Sequence, residues 1–562
     1  MPDDVLNEMA AEKGIGKANK SAAQRLIALT ESLELFYSSD GDAYARVELS
    51  GHYETMALRS GAFKSWLAKR FYETHKGAAN AQAIQDALNY LDGRARYEGG
   101  MSDVHVRVAR VGDVIWLDLC GADWAAVKIT KDGWSLCPHS TEARFFRPGG
   151  MLPLPTPQSL RPGESLDSLL RPFINCEDQC WPLVTAWILS ALSGIGPYLL
   201  LAFSGEQGSA KTTSAVFARG VVDPNIAPLR SMPRDDQEIA IAALSAHVIA
   251  LDNVSAIPTW LSDALCRVAT GGALSKRRLY FDKDEVLITF KRPLILTSIP
   301  DVVEKPDLRD RHYSIRCLPI PDHARRTEAQ LWDDWRKASP MIMAALLDIL
   351  VAGLRAETSV KDDVASGRLT LPRMADAAQW VIACYRGMGW DENAFLSACA
   401  SNRKESVLQA IGDDPVADGI SKLMANRRRW EGQMQDLLLA LCVALGGDEP
   451  RHAPEGFPRS PRALRSRVDR AKSYLRQVEI VITFPRGHKA LVVIEKKGEQ
   501  RSQPPQGPRQ SSIGREGVPG NAGVNGTNSA AHQDQSVHRE GREGVSQPPS
   551  SPGDPEVPGF QL

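Results

Sequence analysis

The chain lacks an excess of basic charge, and this limits how it could bind nucleic acid. Its 562 residues include 67 Lys and Arg against 68 Asp and Glu, a formal net charge of −1. Such a chain is no polycation, so any contact with nucleic acid must come from local basic patches. The apolar content of 43% allows large cores. We expect a small number of globular domains from this length.

The cysteines lack the pattern of a disulfide framework or of a zinc site. There are nine, an odd number, scattered along the chain, which predicts reduced thiols and a cytoplasmic protein. Cys176 and Cys180 form the closest pair, and Cys137 lies near His139, but no second pair has zinc-ligand spacing. We therefore interpret the cysteines as small buried apolar residues.

Targeting and membrane-spanning segments are missing as well. The start, Met1-Pro2-Asp3-Asp4, lacks the basic and apolar regions of a secretory signal, so none is expected. The stretch 181–203 is uncharged and long enough to cross a bilayer, but Gly194-Ile195-Gly196-Pro197 interrupts it. We predict a buried helix, Trp181–Leu192, then a buried strand, Tyr198–Phe203, and no membrane association.

Changes in composition and periodicity divide the chain into regions. Helical patterns occur at Ala22–Phe36, Gly61–Tyr72 and Ala81–Leu91, and alternating strands at Val104–Arg110 and Val114–Asp118. We predict, in chain order, an N-terminal α+β accessory domain (1–150), a linker (151–163), an α/β domain with a mainly parallel sheet (164–320), a helical region (321–428), a compact basic domain (429–497) and a disordered tail (498–562).

One segment has the pattern of a phosphate-binding loop. The apolar strand Leu199–Phe203 runs into Gly205-Glu206-Gln207-Gly208-Ser209-Ala210-Lys211-Thr212-Thr213. In such a loop backbone N–H groups hold phosphate oxygens, the lysine reaches the β- and γ-phosphates, and the next hydroxyl binds Mg²⁺. We therefore predict an ATP·Mg²⁺ site here, the alternative being a Gly/Ser-rich turn before a helix. Ala210 replaces the usual last glycine, which the loop tolerates if this position is right-handed.

A second segment has the pattern of a buried strand that ends in a metal-facing carboxylate. Four apolar residues, Val248–Leu251, precede Asp252 and Asn253. Asp252 is predicted to hold Mg²⁺ together with Thr212, although a core strand that ends in a turn looks the same. Asn253 can orient a water molecule but cannot take its proton. The general base therefore stays open among Glu206, Asp235, Asp236 and Glu238.

A third strand, Leu294–Ser298, ends in hydroxyls. Thr297 is predicted to face the γ-phosphate and the attacking water. Two arginines follow shortly downstream, and Arg311 is predicted to stabilise transition-state charge on a nucleotide bound by a neighbouring subunit. The alternative for this arginine is a surface ion pair with Asp307 or Asp310.

The order of these elements resembles the superfamily-three helicase ATPases of phages, poxviruses and plasmids, in the primase–helicase branch. It resembles more closely the ATP-binding replication proteins of bacterial phages and integrated elements. Four stretches within about 165–320 carry the resemblance: Gly205 to Thr212, Leu251 to Ser255, Ala269-Thr270-Gly271-Gly272-Ala273 through Tyr280, and Arg292 to Thr297 through Arg311. The Thr-Gly-Gly segment is the most specific. The resemblance implies an AAA+-like P-loop core, the cofactors ATP and Mg²⁺, and a homo-oligomeric ring, usually a hexamer.

The chain departs from this family pattern at two positions. Asn253 stands where the family usually has a second acid, and Thr297 where it often has an asparagine. Both departures bear on the rate of hydrolysis more than on nucleotide binding. Many relatives also carry a primase domain, but residues 1–150 show no convincing pair of metal-binding acids, so we predict no primase activity.

Two basic segments are candidate DNA contacts. The first has strand character on both sides, and the resemblance implies a hairpin in the ring channel, where cations neutralise phosphates and an aromatic ring stacks on bases. Its predicted contacts are Lys276, Arg277, Arg278, Tyr280 and Lys283. The second is a helix from Pro461, followed by strands Ile480–Phe484 and Ala490–Ile494, which resembles a winged helix that docks duplex DNA. Its predicted contacts are Arg462, Arg465 and Lys472. The alternative in both segments is a solvated charged surface.

We therefore predict an ATP-driven DNA helicase or translocase of phage or mobile-element replication. Its expected partners are single-stranded and duplex DNA, further copies of itself and other replication proteins. The alternative is a nucleotide-switched DNA-binding initiator or loader with slow hydrolysis, which Asn253 favours. A metabolic kinase is disfavoured because nothing resembles a small-molecule acceptor site. Translocation polarity, sequence specificity and ring size stay open.

Overall fold

Helices and strands form within the part of the chain that the structure describes. The computed structural model describes residues 20–138, 142–277, 285–289, 291–448, 454, 456–485 and 491–497, with the backbone alone for 273–277 and 285–289. The contacts divide the chain into two units, Met1–Gly498 and Glu499–Leu562, and the predicted disordered tail lies outside the described residues.

The helices are α1 (Ala22–Ala28), α2 (Gly61–His75), α3 (Ala81–Tyr97), α4 (Leu166–Leu170), α5 (Trp181–Ala191), α6 (Lys211–Gly220), α7 (Asp236–Ser245), α8 (Thr259–Thr270), α9 (Pro306–Arg309), α10 (Glu328–Ala365), α11 (Ala375–Gly387), α12 (Glu392–Asp413), α13 (Pro415–Leu423), α14 (Met434–Ala444) and α15 (Pro461–Leu475). The strands are β1 (Glu34–Tyr37), β2 (Ala43–Leu49), β3 (His52–Ala57), β4 (Gly100–Met101), β5 (Val104–His105), β6 (Val108–Val111), β7 (Val114–Asp118), β8 (Ala126–Thr130), β9 (Gly133–Cys137), β10 (Arg144–Phe145), β11 (Leu200–Ser204), β12 (Ile249–Leu251), β13 (Ala273–Arg277), β14 (Glu285–Thr289), β15 (Leu294–Ser298), β16 (His312–Arg316), β17 (Arg429–Gln433), β18 (Ile480–Thr483) and β19 (Leu491–Lys496).

The N-terminal region contains three small sheets, and it corrects two predicted elements. The sheets have the orders β3-β2-β1-β4, β6-β7-β8-β9 and β10-β5. The predicted helix 22–36 ends at Ala28, because the following turn leads Phe36 into β1, where it is buried. The predicted strand 104–110 divides into β5 and β6, because Arg107 between them has a left-handed backbone (φ 68°).

The predicted parallel sheet is confirmed in residues 164–320. Its order is β12-β15-β11-β16, and every neighbouring pair is parallel. Leu201 and Phe203 of β11 pack in the core that includes α5, whereas Leu200 and Ala202 pack in a second core with α7 and α8. Helices thus cover both faces, which explains why this strand reads as one continuous apolar run.

Residues 321–428 contain helices α10 to α13. One described helix, α10, is long and apolar enough to cross a membrane by length and composition, and 72% of its most apolar window is buried inside the protein. Its apolar face belongs to the same core as β7, β8 and α5. The core therefore crosses the predicted boundaries at 150 and 320, and these domain limits stay predictions.

A buried ion cluster joins the N-terminal strands to the parallel sheet. Arg107 is fully buried, and its Nε donates to Asp223 Oδ1 at 3.1 Å. Asp223 also accepts from the backbone N–H groups of His247 and Val248, at 2.9 and 3.0 Å. The predicted linker runs beside this cluster, and Arg107 Nη2 donates to the carbonyl of Leu152 at 2.7 Å. The first part of the linker is therefore packed against the core.

The C-terminal region has its own core, which begins before residue 429. Buried residues from Val407 to Ile494 pack together. Three strands form a sheet in the order β17-β19-β18, with β18 and β19 antiparallel. This confirms the predicted helix and the two strands after it, whose turn at 486–490 lies outside the described residues. Strand β17 and helix α14 were not predicted.

Candidate functional site

The loop Gly205–Ala210 connects β11 to α6, and its backbone changes direction several times. Three of its residues have positive φ: Gly205 at 151°, Gly208 at 80° and Ala210 at 55°. Ala210 therefore does not have the right-handed backbone under which the loop is expected to tolerate alanine. The reason is a tight turn in which the buried Ser209 returns its hydroxyl to the Glu206 carbonyl at 2.8 Å, so the chain must reverse again to enter α6.

Backbone donors gather where the loop meets α6. Helix α6 starts at Lys211 without a side-chain cap, so the N–H groups of its first turn have no partner within the helix. Lys211 Nζ donates to the Glu206 carbonyl at 2.7 Å and so lies over the loop. Gln207 and Gly208 are exposed beside it. Free amides, a helix N-terminus and a lysine together favour an anion.

Three predicted residues from distant parts of the sequence meet beside this loop. Asp252 Oδ1 accepts a hydrogen bond from Thr212 Oγ1 at 3.1 Å and another from Thr297 Oγ1 at 2.5 Å. Thr297 Oγ1 in turn accepts from the backbone N–H of Asn253 at 2.8 Å. Asn253 has a left-handed backbone, with φ 50°. The three side chains therefore meet at the carboxyl edge of the parallel sheet, where such sheets bind ligands.

The candidate general bases have different surroundings. Asp235 caps α7 by accepting from the Glu238 N–H at 2.9 Å. Glu238 accepts from the Arg234 N–H at 2.9 Å, and Asp236 forms a 3.0 Å ion pair with Arg267. Glu206 is exposed on the loop itself. These contacts leave Glu206 as the least committed of the four carboxylates.

Arg311 lies at the amino ends of the parallel strands, whereas the loop follows their carboxyl ends. It precedes β16, whose first residue pairs with Leu200, while Ser204 before the loop pairs with Arg316. The length of the strand, roughly 13 Å, therefore separates Arg311 from the loop of its own chain. Arg311 Nη1 donates to the Asp307 carbonyl at 2.6 Å and lies 3.4 Å from its carboxylate. The ion pair weighed as the alternative is thus present, and Arg311 does not reach the loop of its own chain.

Two residues near the loop were missed by sequence reasoning. Asn175 Nδ2 donates to the carbonyls of Ser209 and Leu318, at 2.9 and 2.6 Å. It thereby ties the loop to the segment after β16. Arg325 Nη2 lies 3.9 Å from the position that a Cβ on Gly208 would take. The doublet Arg325-Arg326 was the available signal, but only the folded chain brings it to the loop.

The first basic segment is a hairpin, as predicted. Strands β13 and β14 pair antiparallel, from Ala273 opposite Thr289 to Arg277 opposite Glu285. Lys276 and Arg277 lie on β13. Arg278, Tyr280 and Lys283 lie outside the described residues, so their predicted DNA contacts stay predictions.

The second basic segment is helix α15, and its cations differ in their contacts. Arg465 Nε lies 3.4 Å and Lys472 Nζ 2.9 Å from the carboxylate of Asp469. Both cations also lie over the ring of Phe484, at 3.2 and 3.7 Å from its centroid. Arg462 is exposed and has no ion pair among the described residues. Of the three predicted contacts, Arg462 is the one most free to meet a phosphate.

Solved structures show a distant likeness to this chain. One, titled "SCCmec type IV Cch - active helicase", has 12% identity and a TM-score of 0.41, covering 83% of this chain and 93% of that chain. Another, the apo C-terminal region of NrS-1, has 12% identity and a TM-score of 0.38, covering 85% and 100%. A structure of the JCV helicase has 12% identity and a TM-score of 0.20, covering 39% and 68%. No curated protein matches the sequence. At these TM-scores, function has to be argued from the residues of this chain.

Two family models match, and both describe the same kind of protein. Residues 166–391 match the actinomycete integrative conjugative element replication protein, a range that contains the loop, the Asp252 cluster and Arg311. Residues 416–509 match the C-terminal domain of the same RepA family, a range that contains α15 and the strands after it. Neither model covers half of the chain by itself, and together they show that these two regions are similar to the replication proteins of integrative conjugative elements.

Proposed function

We propose that this chain is an ATP-hydrolysing, helicase-like protein that acts on DNA during replication of a mobile element. Its P-loop is Gly205–Thr213, its core is of the superfamily-three, AAA+-like kind, and its active form is a ring of identical subunits, most simply a hexamer. The region 429–497 serves as a winged helix that docks duplex DNA, while the β13–β14 hairpin contacts a single strand.

The observation that carries this proposal is the meeting of Thr212, Asp252 and Thr297 beside the loop. These residues come from α6, from the end of β12 and from the end of β15, and one carboxylate oxygen joins them. An accidental turn before a helix would not gather an Asp and two hydroxyls from three separate segments. A nucleotide site needs this set, because it has to bind phosphates, a metal ion and an attacking water together.

The residues present fit ATP·Mg²⁺. The loop amides, the first turn of α6 and Lys211 would hold the phosphates, and Thr212 and Asp252 would hold Mg²⁺. Among the described residues, no group of three His, Cys, Asp or Glu side chains could hold a metal ion alone. This suits Mg²⁺, which usually takes one or two carboxylates and completes its shell with phosphates and water. Bound Mg²⁺ would neutralise charge that develops on the phosphates.

A second candidate function is a nucleotide-switched initiator or loader that hydrolyses ATP slowly. Its support is local chemistry: the cavity beside Asp252, which extends along Leu229–Met232 and Asn253–Ser255, is lined by no carboxylate other than Asp252. Asn253 occupies the position from which a glutamate would take the proton of the attacking water. This candidate keeps the same nucleotide site and differs in rate and in the absence of unwinding.

The direct test is Lys211→Ala, with Lys64→Ala as the control on the exposed face of α2. Lys211→Ala should abolish ATP turnover and weaken nucleotide binding without changing the melting temperature, because Lys211 bonds only a loop carbonyl. Lys64→Ala should behave as wild type. ATP turnover at the wild-type rate in Lys211→Ala would overturn the P-loop assignment. A strand-displacement assay beside the ATPase assay separates the two candidates, since only a helicase unwinds in proportion to hydrolysis.

A further inference from the structure

A second polar cavity lies at the edge of the parallel sheet that faces away from the loop. It is bounded by residues 104–112 and by the segments that lead into β11 and β15, and its volume is about 360 Å³. Its polar lining is His105, Arg110, Tyr198, His247, Lys291 and Arg292. The nucleotide site proposed above uses none of these residues.

Arg292 is held in this cavity without a carboxylate partner. Its Nε donates to the Ala243 carbonyl at 2.8 Å and its Nη1 to the Lys291 carbonyl at 3.3 Å. Within the described side chains, no carboxylate lies within 4.0 Å of Lys291 or Arg292. Glu285 lies opposite Arg277 in the backbone register of the hairpin, at the end of β14 that is farther from Arg292. Arg292 is half-buried, and the loss of solvent around it lowers the pKa of its guanidinium. A partly desolvated cation without a carboxylate partner favours an external anion.

Lys291 is fixed by two glycines that leave room for its stem. A Cβ on Gly196 would lie 2.7 Å from Lys291 Cδ, and a Cβ on Gly271 would lie 2.7 Å from Lys291 Cε. The stem therefore passes between Gly196 and Gly271, and the latter belongs to the Thr-Gly-Gly segment. Lys291 Nζ lies 3.4 Å from the Gly196 carbonyl. A cation held in this way loses little conformational entropy when it binds an anion.

The remaining polar groups add hydrogen-bonding atoms without adding much charge. His247 is 2% exposed; its Nε2 donates to the Ala191 carbonyl at 2.8 Å, and its Nδ1 has no partner among the described residues. Burial, then the charge of Arg292, lowers the pKa of His247 to about 4, so the ring is neutral at neutral pH. Arg110 is paired with Glu357 at 2.6 Å, and one of its nitrogens, Nη1, is also unpartnered. The cavity lining therefore has a positive net charge, which comes from Lys291 and Arg292.

We propose that this cavity binds a backbone phosphate of single-stranded DNA, with Lys291 and Arg292 as the contacting cations. The proposal deepens the function proposed above, because it rests on action on DNA. Lys291 and Arg292 come two and three residues after the end of β14, the second strand of the hairpin whose first strand carries the predicted contacts Lys276 and Arg277. A strand that touches the far end of the hairpin can thus continue to its base, where the exposed Lys291 and the half-buried Arg292 hold one phosphate.

The test compares Lys291→Gln with Lys64→Gln, which removes the same charge from an exposed helix. Binding of a labelled oligothymidylate is measured by fluorescence anisotropy over a series of salt concentrations. Lys291→Gln should weaken binding several-fold and reduce the slope of log K against log salt by about 0.7, the loss of one single-strand phosphate contact. Arg292→Gln should do the same, and Arg292→Lys should restore most of the slope. Lys64→Gln should match wild type, and thermal unfolding should show that each variant is folded.

The possible results distinguish failure of the cavity proposal from failure of the proposed function. Wild-type affinity and slope in both Lys291→Gln and Arg292→Gln overturn the cavity as a DNA contact, while failure of the wild type to bind single strands overturns the action on DNA itself. Orthophosphate provides the second arm, measured by calorimetry. Binding of orthophosphate by wild type, without any change in DNA slope in the variants, would assign a free phosphate ligand and overturn the DNA source.

Discussion

Ala210 takes a left-handed backbone that glycine would adopt without strain. For an L-residue this conformation costs roughly 1–2 kcal/mol, whereas glycine loses roughly 0.4–1 kcal/mol through its freer unfolded chain. Ala210→Gly should therefore leave stability unchanged or raise it by up to about 1.6 kcal/mol. The measurement is the denaturant midpoint of the unfolding transition that includes the parallel sheet.

The matched control for Ala210→Gly is Ala215→Gly, which lies within α6 and is fully buried. Ala215→Gly should lower the free energy of unfolding by roughly 1 kcal/mol or more, because glycine is a poor helix former and the buried methyl group is lost. Equal destabilisation by the two substitutions would contradict a left-handed Ala210.

His247 makes stability depend on pH. Its pKa is about 4 in the folded chain, against 6.5 for an ordinary histidine. Between these values the unfolded chain binds a proton that the folded chain does not, so the free energy of unfolding should fall as pH drops from 6.5 to 4. The loss is at most about 3 kcal/mol. Denaturant midpoints across this window should fall less steeply in His247→Gln, and an identical pH dependence in both proteins would contradict a buried neutral His247.

The residues of the proposed nucleotide site were predictable where they follow one another in the chain. Lys211 and Thr212 come from one motif, and Asp252 and Thr297 each end an apolar strand, which places them at one edge of a parallel sheet. Asn175 and Arg325 were not predictable, because each reaches the loop through a contact that no local pattern encodes. The cavity around Lys291 was not predictable either. Only the folded chain shows that Gly271 of the Thr-Gly-Gly segment lies beside the stem of this lysine.

At the scale of elements, errors arose where tertiary contacts override local periodicity. The apolar positions of residues 22–36 suit a helix, but Phe36 is buried by pairing of β1 with β2. The run 104–110 suits a strand, but the buried ion pair of Arg107 with Asp223 breaks it. Strand β17 was missed because its burial alternates only between exposed and half-buried residues, so it shows almost no apolar pattern.

Helix α15 offers a test of which cations dock duplex DNA. Arg462 and Arg470 are exposed and have no ion pair among the described residues, whereas Arg465 and Lys472 share Asp469 and Phe484. Replacing Arg462 and Arg470 with Gln should weaken duplex binding and reduce the salt slope by up to about 0.9 per contact. Replacing Arg465 and Lys472 should have the smaller effect. The reverse order, in titrations of the same duplex, would assign the docking surface to the Asp469 side.

At the scale of the whole molecule, Arg311 tests for shared sites. Arg311→Ala should leave nucleotide binding nearly intact and lower ATP turnover by roughly a thousandfold or more, as losses of an arginine finger do. The control Arg368→Ala, which removes an exposed ion pair with Asp363, should turn over ATP as wild type. Mixing Arg311→Ala with Lys211→Ala should restore some turnover, because some interfaces then combine an intact loop with an intact arginine. No restoration at any ratio would exclude a site shared between subunits.

The placement of Arg311 at the edge of the sheet away from its own loop has a consequence for regulation. In the ring proposed above, Arg311 serves the loop of a neighbouring subunit, so a lone subunit would hold an incomplete site and ATP turnover per molecule would rise with protein concentration. The activity of such a protein would depend on its own concentration, and it would be inactive after low-level expression. For a mobile element, replication would then start only once its gene products had accumulated, which links the timing of duplication to gene dosage without a separate regulator.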